Sequence, residues 1–280
     1  MQTPPTFAGP PADSAEPGGA GALVAAFARK SLAIADMEVR KLRHDPTELF
    51  TRALQPALWL LVFGQVMSRG HIVDTGGLRY LDFLVPGILA QSVLFIAIFN
   101  GISIIWERDL GIVHKFLASP TPRAALVLGK AIGGAARALV QAAVVVALAV
   151  LLQVKVRWDP AALAGVAALI VLGAAVFSTF SLIIACVVKT RERFMGVGQL
   201  LTMPLFFASN AIYPTSMMPG WLRLVSHANP LTYEVDGLRA LLLAGAPPGS
   251  LGLGLDFAVL GGALLVLLAI AARIYPNIVR

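Results

Sequence analysis

The chain has 280 residues, of which 58% are hydrophobic and only 13% charged, and its mean hydropathy is +0.80. A water-soluble domain of this length holds about a quarter charged residues, so the composition excludes an ordinary soluble enzyme and places the chain in a membrane. The net charge of +7 comes from basic residues scattered between apolar runs; they form no single stripe of the kind that tracks a phosphate backbone, and no nucleic-acid partner is expected.

Residues 1–20 are rich in Pro, Gly and Ala, have no large apolar run, and read as a disordered tail. No basic residue precedes an apolar core there, so a signal peptide is not expected. Over residues 21–46 the pattern becomes helical. Val24, Ala28, Leu32, Ala35, Val39 and Leu42 share one face, while Arg29, Asp36, Arg40 and Arg43 group on the adjoining one and Lys41 adds to the positive charge. A basic amphipathic helix of this kind lies along an anionic membrane surface, although a soluble helix packed on a partner would show the same pattern. Asp45-Pro46 ends it.

Residues 47–280 read as an all-α polytopic membrane domain. Six runs approach the roughly 20 residues needed to cross a bilayer: about 49–67, 81–106, 131–154, 161–188, 194–212 and 253–272. Pro86-Gly87 predicts a kink in the second and Pro204 lies inside the fifth. Arg137 is the only charge well inside a span; snorkelling to the nearer face and contact with a substrate are both open to it. Cys186 is the single cysteine and reads as a small buried hydrophobe. Between the fifth and sixth runs, residues 214–246 are apolar but broken by prolines. They predict two short re-entrant helices on the outer side, the second opened by Asn229-Pro230 as N-cap and first residue.

The second and third spans are separated by a short mixed-charge island, predicted as a helix over 107–120. Glu107, Arg108, Asp109 and Lys115 cannot sit in lipid without a cost of a few kcal/mol each. Leu110, Val113 and Leu117 recur on one helical face, and Pro120 and Pro122 then end the helix. A short amphipathic helix held at a membrane face by two spans suits a part that another protein pushes on; an ordinary cytoplasmic loop would carry the same spacing. Charge bias sets the orientation. With both termini inside, most of the 22 Lys and Arg fall on the inner side, against Arg69, Arg79, Lys155, Arg157, Arg223 and Arg239 outside.

Three stretches then resemble one family, the membrane subunits of ABC exporters of the second type, especially daunorubicin-resistance-like permeases. One runs from Glu107-Arg108-Asp109-Leu110-Gly111 through Ser119-Pro120 to Leu128-Gly129-Lys130. Another is Phe83-Leu84-Val85-Pro86-Gly87-Ile88. The last runs from Pro214 through Met218-Pro219-Gly220-Trp221-Leu222 and Asn229-Pro230-Leu231-Thr232-Tyr233 to Asp236-Gly237-Leu238-Arg239. The resemblance implies a dimer of six-span permeases, either two copies or a copy and a paralogue, bound to two cytoplasmic nucleotide-binding ATPase subunits in a bacterial plasma membrane. It implies that Glu107, Arg108, Asp109, Leu110, Gly111, Val113, Lys115, Leu117 and Arg123 form the coupling region, and that the surface helix with Arg29, Arg40, Lys41 and Arg43 also touches the ATPase.

The chain supplies no ATPase of its own. Gly129-Lys130 imitates the end of a phosphate loop, but Ala124 and Ala131 stand where that loop needs Gly and Ser or Thr. ATP and Mg are therefore expected on the partner, with no cofactor and no metal in this chain. His227, Glu234 and Asp236 form no His-Glu-x-x-His motif, and no Gly-x-Ser-x-Gly elbow occurs. They read as residues that cap, pair or face water, and Asp236 and Arg239 as a local i, i+3 pair. The polar positions Gln55, Gln65, Gln91, Asn100, Gln199 and Asn210 are candidates for the transport pathway, although hydrogen bonds between packed helices explain them equally. The reading is an exporter permease for a hydrophobic or amphiphilic compound, a drug or a lipid. Polysaccharide or glycolipid export is the alternative within the family. An ion-coupled secondary transporter is the alternative outside it, disfavoured because Asp82 and Asp256 lie at span edges and no acidic residue is central.

Overall fold

The computed structural model describes residues 54–70, 73–110, 123–188, 190–245 and 251–274. It is helical, and no strand occurs among the described residues; Val156 and Leu243 form an isolated antiparallel bridge. A π-helix, Trp59–Gly64, continues into α1 (Gln65–Gly70). Then come α2 (Tyr80–Asp109), α3 (Arg123–Leu151), α4 (Pro160–Val187), α5 (Arg191–Phe207), α6 (Gly220–Ala228), α7 (Pro230–Leu242) and α8 (Leu253–Ile274).

Among the described residues, four helices are long and apolar enough to cross a membrane, over Tyr80–Ser103, Ile132–Leu151, Pro160–Val187 and Leu253–Ile274. The other two expected spans differ for separate reasons. The first continues into residues outside the described set, and α5 has only 17 residues. The surface helix over 21–46, with Arg29, Arg40, Lys41 and Arg43, lies outside the described residues, as does the tail.

The sequence explains how the spans meet. In lipid, helices gain little from the hydrophobic effect and associate by close packing, which small residues permit. On α3, Ala135, Ala138, Ala142, Val145 and Ala149 are buried at alternating spacings of three and four, forming one small-residue stripe. That stripe lies against α2 and α4, the two central helices, and α2 is covered on nearly every side. By contrast α8 buries only Asp256, Leu260 and Ala271, leaving Leu265 and Val266 exposed as expected for a lipid-facing helix. Gly87 follows Pro86 within α2, and a side chain there would strike the backbone of Ala211. The glycine thus lets the turn that follows α5 close onto α2.

The segment after α5 forms two short helices, as the proline pattern predicts. Asn229 holds the start of α7: its Oδ1 accepts from Leu231 N (3.0 Å) and its Nδ2 donates to Leu205 O (2.7 Å). Tyr233 Oη donates to His227 O (2.8 Å), fastening α7 back on α6. Although short, α7 lies against α2, α4 and α8 and is almost wholly buried. Arg157 N donates to Leu242 O and Ala244 N to Lys155 O, each at 2.8 Å. Arg79 Nη2 donates to Leu152 O and Gln153 O at 3.2 Å. Arg79, Lys155 and Arg157, all expected outside, therefore share one end of the bundle. Asp109, at the far end of α2, lies about 45 Å away at 1.5 Å per residue.

Candidate functional site

The far end of α2 carries the first site. Glu107, Arg108 and Asp109 form its last turn instead of opening a separate helix, and Leu110 follows as an exposed turn residue. Arg191, the first residue of α5, places Nη2 2.8 Å from Asp109 Oδ2. Its guanidinium also stacks on Trp106, 3.7 Å from the ring centroid. Thr190 caps α5 by accepting from Arg193 N (3.4 Å). Of the residues expected to couple to an ATPase, Gly111, Val113, Lys115 and Leu117 lie outside the described residues, and Arg123 is placed by its backbone alone. Sequence reasoning assigned Asp109 to an ATPase contact and missed Arg191, because nothing in the linear pattern joins residues 82 apart.

The second site is a cavity of about 330 Å³ lined by Gln55, Pro56, Gln91, Ser92, Phe95, Ile96, Phe99 and Gln141. Two of the expected pathway positions, Gln55 and Gln91, meet there. Gln141 of α3 joins them and was not singled out in the sequence. The remaining candidates go elsewhere. Gln65 is exposed on α1, Gln199 is exposed on α5, and Asn210 is buried near α7, where its carbonyl accepts from Arg239. The backbone of Asn100 continues α2.

The third feature corrects the reading of Glu234, among the outer polar residues His227, Glu234 and Asp236, as a capping, paired or water-facing group. Only His227 of the three is exposed. Glu234 has 0% exposure and neither carboxyl oxygen has a hydrogen-bond partner among the described residues. It lies against Gly173 of α4, where any side chain would collide with its carboxyl group. Since α7 does not span, its neighbours are other helices, and burial pushes this carboxyl well above its usual range. Asp236 is also buried and accepts from Leu251 N (2.9 Å). Asp256, at the edge of α8, is buried, and neither of its oxygens has a hydrogen-bond partner among the described residues. Arg239 donates to Asn210 O (2.8 Å) and Phe83 O (3.4 Å) and lies over the Phe83 ring, 3.9 Å from its centroid. Burial lowers it to about 10, against the opposing influence of the Asp236 charge. Acids that are peripheral along the sequence are thus interior in space. Asp82 differs from them in pairing with Arg79 at 3.0 Å. Arg137 and Cys186 are both half-buried. No group of three metal-ligating side chains occurs among the described residues.

The comparisons with known proteins agree with this architecture. Residues 30–243 match the model of the ABC-2 type transporter family. The daunorubicin resistance ABC transporter permease protein DrrB1 of Streptomyces coeruleorubidus is 30% identical over 237 residues, covering 84% of this chain and 82% of that protein. A putative transport permease, ycf38 of Cyanophora paradoxa, is 27% identical over 203 residues, 72% of this chain and 70% of its own. The inner membrane transport permease YadH of Escherichia coli K12 is 27% identical over 186 residues, 65% of this chain and 70% of its own. A family match over most of the length, a 30% identical relative covered over about four fifths of its own length, and a bundle of apolar helices lead to one conclusion: the chain belongs to the ABC-2 type transporter family and is a membrane-embedded permease.

Proposed function

We propose that the chain is the membrane subunit of an ATP-driven exporter that moves a hydrophobic or amphiphilic compound, a drug or a lipid, out of the cytoplasm or inner leaflet. Two separate nucleotide-binding subunits bind ATP and Mg and push on the segment from Glu107 to Arg123. A second copy, or a paralogous permease, completes the route in a bacterial plasma membrane with both termini inside.

The observation that carries this reading is the bridge from Asp109 to Arg191. A push on the segment following α2 needs a path to another helix if it is to move anything. Here the last turn of α2 is tied by charge and by ring stacking to the first residue of α5. On α5, Met195, Gln199, Leu200, Met203 and Phe207 form one exposed face. An amide presented to hydrocarbon is costly, so Gln199 within that face supports burial against a second permease. The likeness to DrrB1 supports a drug-like cargo.

The test is reconstitution in vesicles with and without a nucleotide-binding subunit. ATP-dependent movement of an amphiphilic dye is expected only with both present. Buried Glu234, Asp236 and Asp256 favour one other reading, ion-coupled transport. Movement driven by a proton or sodium gradient through the chain alone would establish it and remove the exporter reading.

A further inference from the structure

Gln141 has 1% exposure, lines the cavity on α2 and α3, and has no hydrogen-bond partner for either its amide nitrogen or its amide oxygen among the described residues. An unpaired amide is costly in a protein interior, and more so at membrane depth where lipid offers no partner. Gln91, on the same wall, is 11 residues from the start of α2 and thus about 16 Å along it, near the middle of a bilayer. Gln55 and Gln91 bring two more amides to the same space, and Phe95 and Phe99 stack with centroids 6.2 Å apart. None of the lining side chains is charged. The volume is at the lower end of that of small-molecule pockets.

We infer that this cavity is a binding site for uncharged ring compounds bearing a carbonyl or hydroxyl group, and that such compounds are the class of cargo the permease exports. The inference rests on the exporter reading for the word cargo, while binding itself stands apart from it. Each amide offers a donor and an acceptor, so a neutral carbonyl or hydroxyl satisfies Gln141 without bringing a charge into an uncharged wall. The aromatic pair meets a flat ring body. A permanent cation would find no carboxylate there to balance it, and an anion no guanidinium.

Photolabelling of the full chain in lipid nanodiscs tests this with 4-(hydroxymethyl)benzophenone, a neutral two-ring ketone that reacts where it binds. Saturable adducts on the peptides holding residues 91–99 or Gln141 are expected, reduced at least about five-fold by Gln141→Leu, the loss of roughly one hydrogen bond. Gln91→Leu serves as the second variant should Gln141→Leu fold poorly, and Glu192→Gln, at an exposed position away from the cavity, should label normally. A benzophenone carrying a trimethylammonium group should not label the cavity. In vesicles with the nucleotide-binding subunit, Gln141→Leu should slow ATP-driven release of the neutral probe. Unchanged labelling or release in the glutamine variants, equal labelling by the cation, or adducts confined to the lipid-facing residues of α8 would overturn the site. So would a cavity holding only water or the chain's own residues before Leu54, which would give no saturable adduct. The two readings fail differently: no ATP-driven transport with saturable cavity labelling removes the exporter, whereas transport without cavity labelling removes only the site.

Discussion

Arg191 Nη2 lies 2.8 Å from Asp109 Oδ2, and the same guanidinium covers the ring of Trp106 at 3.7 Å. Both side chains of the ion pair are more than a third exposed, so the pair adds about 1 kcal/mol or less to stability. Its consequence is geometric, because it fixes where α5 begins relative to where α2 ends. Asp109→Ala or Arg191→Ala should therefore leave the melting temperature within a few degrees while weakening the dependence of transport on ATP hydrolysis. The charge-swapped double variant, Asp109→Arg with Arg191→Asp, should recover part of the coupling. Vesicle transport measured beside ATPase rate checks this, and full coupling in both single variants would refute it.

Glu234 predicts a dependence of stability on pH. Its carboxyl is raised above the ordinary value of 4.5 by burial. Below that pH both folded and unfolded chains are protonated and the folded state suffers no penalty. As the pH rises above 4.5 the unfolded state ionises while the folded one does not, so stability falls until the folded value is reached. The slope from one such group is at most about 1.4 kcal/mol per pH unit. Glu234→Gln keeps the shape and removes the titration. It should melt higher than the parent at pH 8 and equally at pH 4, and a parallel pH profile for the two proteins would contradict the assignment.

Gly173 is the other half of that contact. Because a methyl group there would strike the Glu234 carboxyl, Gly173→Ala should destabilise by about 1–3 kcal/mol through overpacking. Adding Glu234→Ala should recover much of the loss by emptying the space. Thermal melts of the single and double variants in detergent give the coupling directly, and additive effects would show that the two residues do not touch.

The sequence made the spans legible where long apolar runs coincided with small-residue spacing, as on α3 and α4. It made the start of α7 legible because Asn229-Pro230 carries a local mechanism, side-chain capping followed by a residue with no N–H to satisfy. Asn229→Ala should cost about 1 kcal/mol from the cap alone, and more because Leu205 O loses its donor; a melting curve matching the parent would contradict both contacts. What the sequence could not show were relations between distant segments. Asp109 meets Arg191, Gln141 lines one cavity with Gln55 and Gln91, and Glu234 meets Gly173 only because helices distant in sequence pack together. Glu234 looked peripheral because a 13-residue helix cannot span. Burial depends on what surrounds a helix, and α2, α4 and α8 surround this one.

Sidedness gives the last prediction. Arg79 reaches Leu152 O and Gln153 O, Tyr80 Oη donates to Ile212 O (3.0 Å), and Arg223 donates to Thr215 O and Ser216 O (3.2 Å each). These contacts gather Arg79, Lys155 and Arg223 at one end of the bundle, about a helix length from Arg191. The excess of basic residues elsewhere predicts that this end faces outside. In a Cys186→Ala background, cysteines replacing Arg79, Lys155 or Arg223 should react with a membrane-impermeant maleimide added to intact cells. Cysteines replacing Lys115 or Arg191 should react only after the membrane is opened. Each of the three outer positions is accessible, so slow chemistry would not explain silence. The inverse pattern would turn the whole permease over, and a mixed pattern among the three would break the packing that joins them.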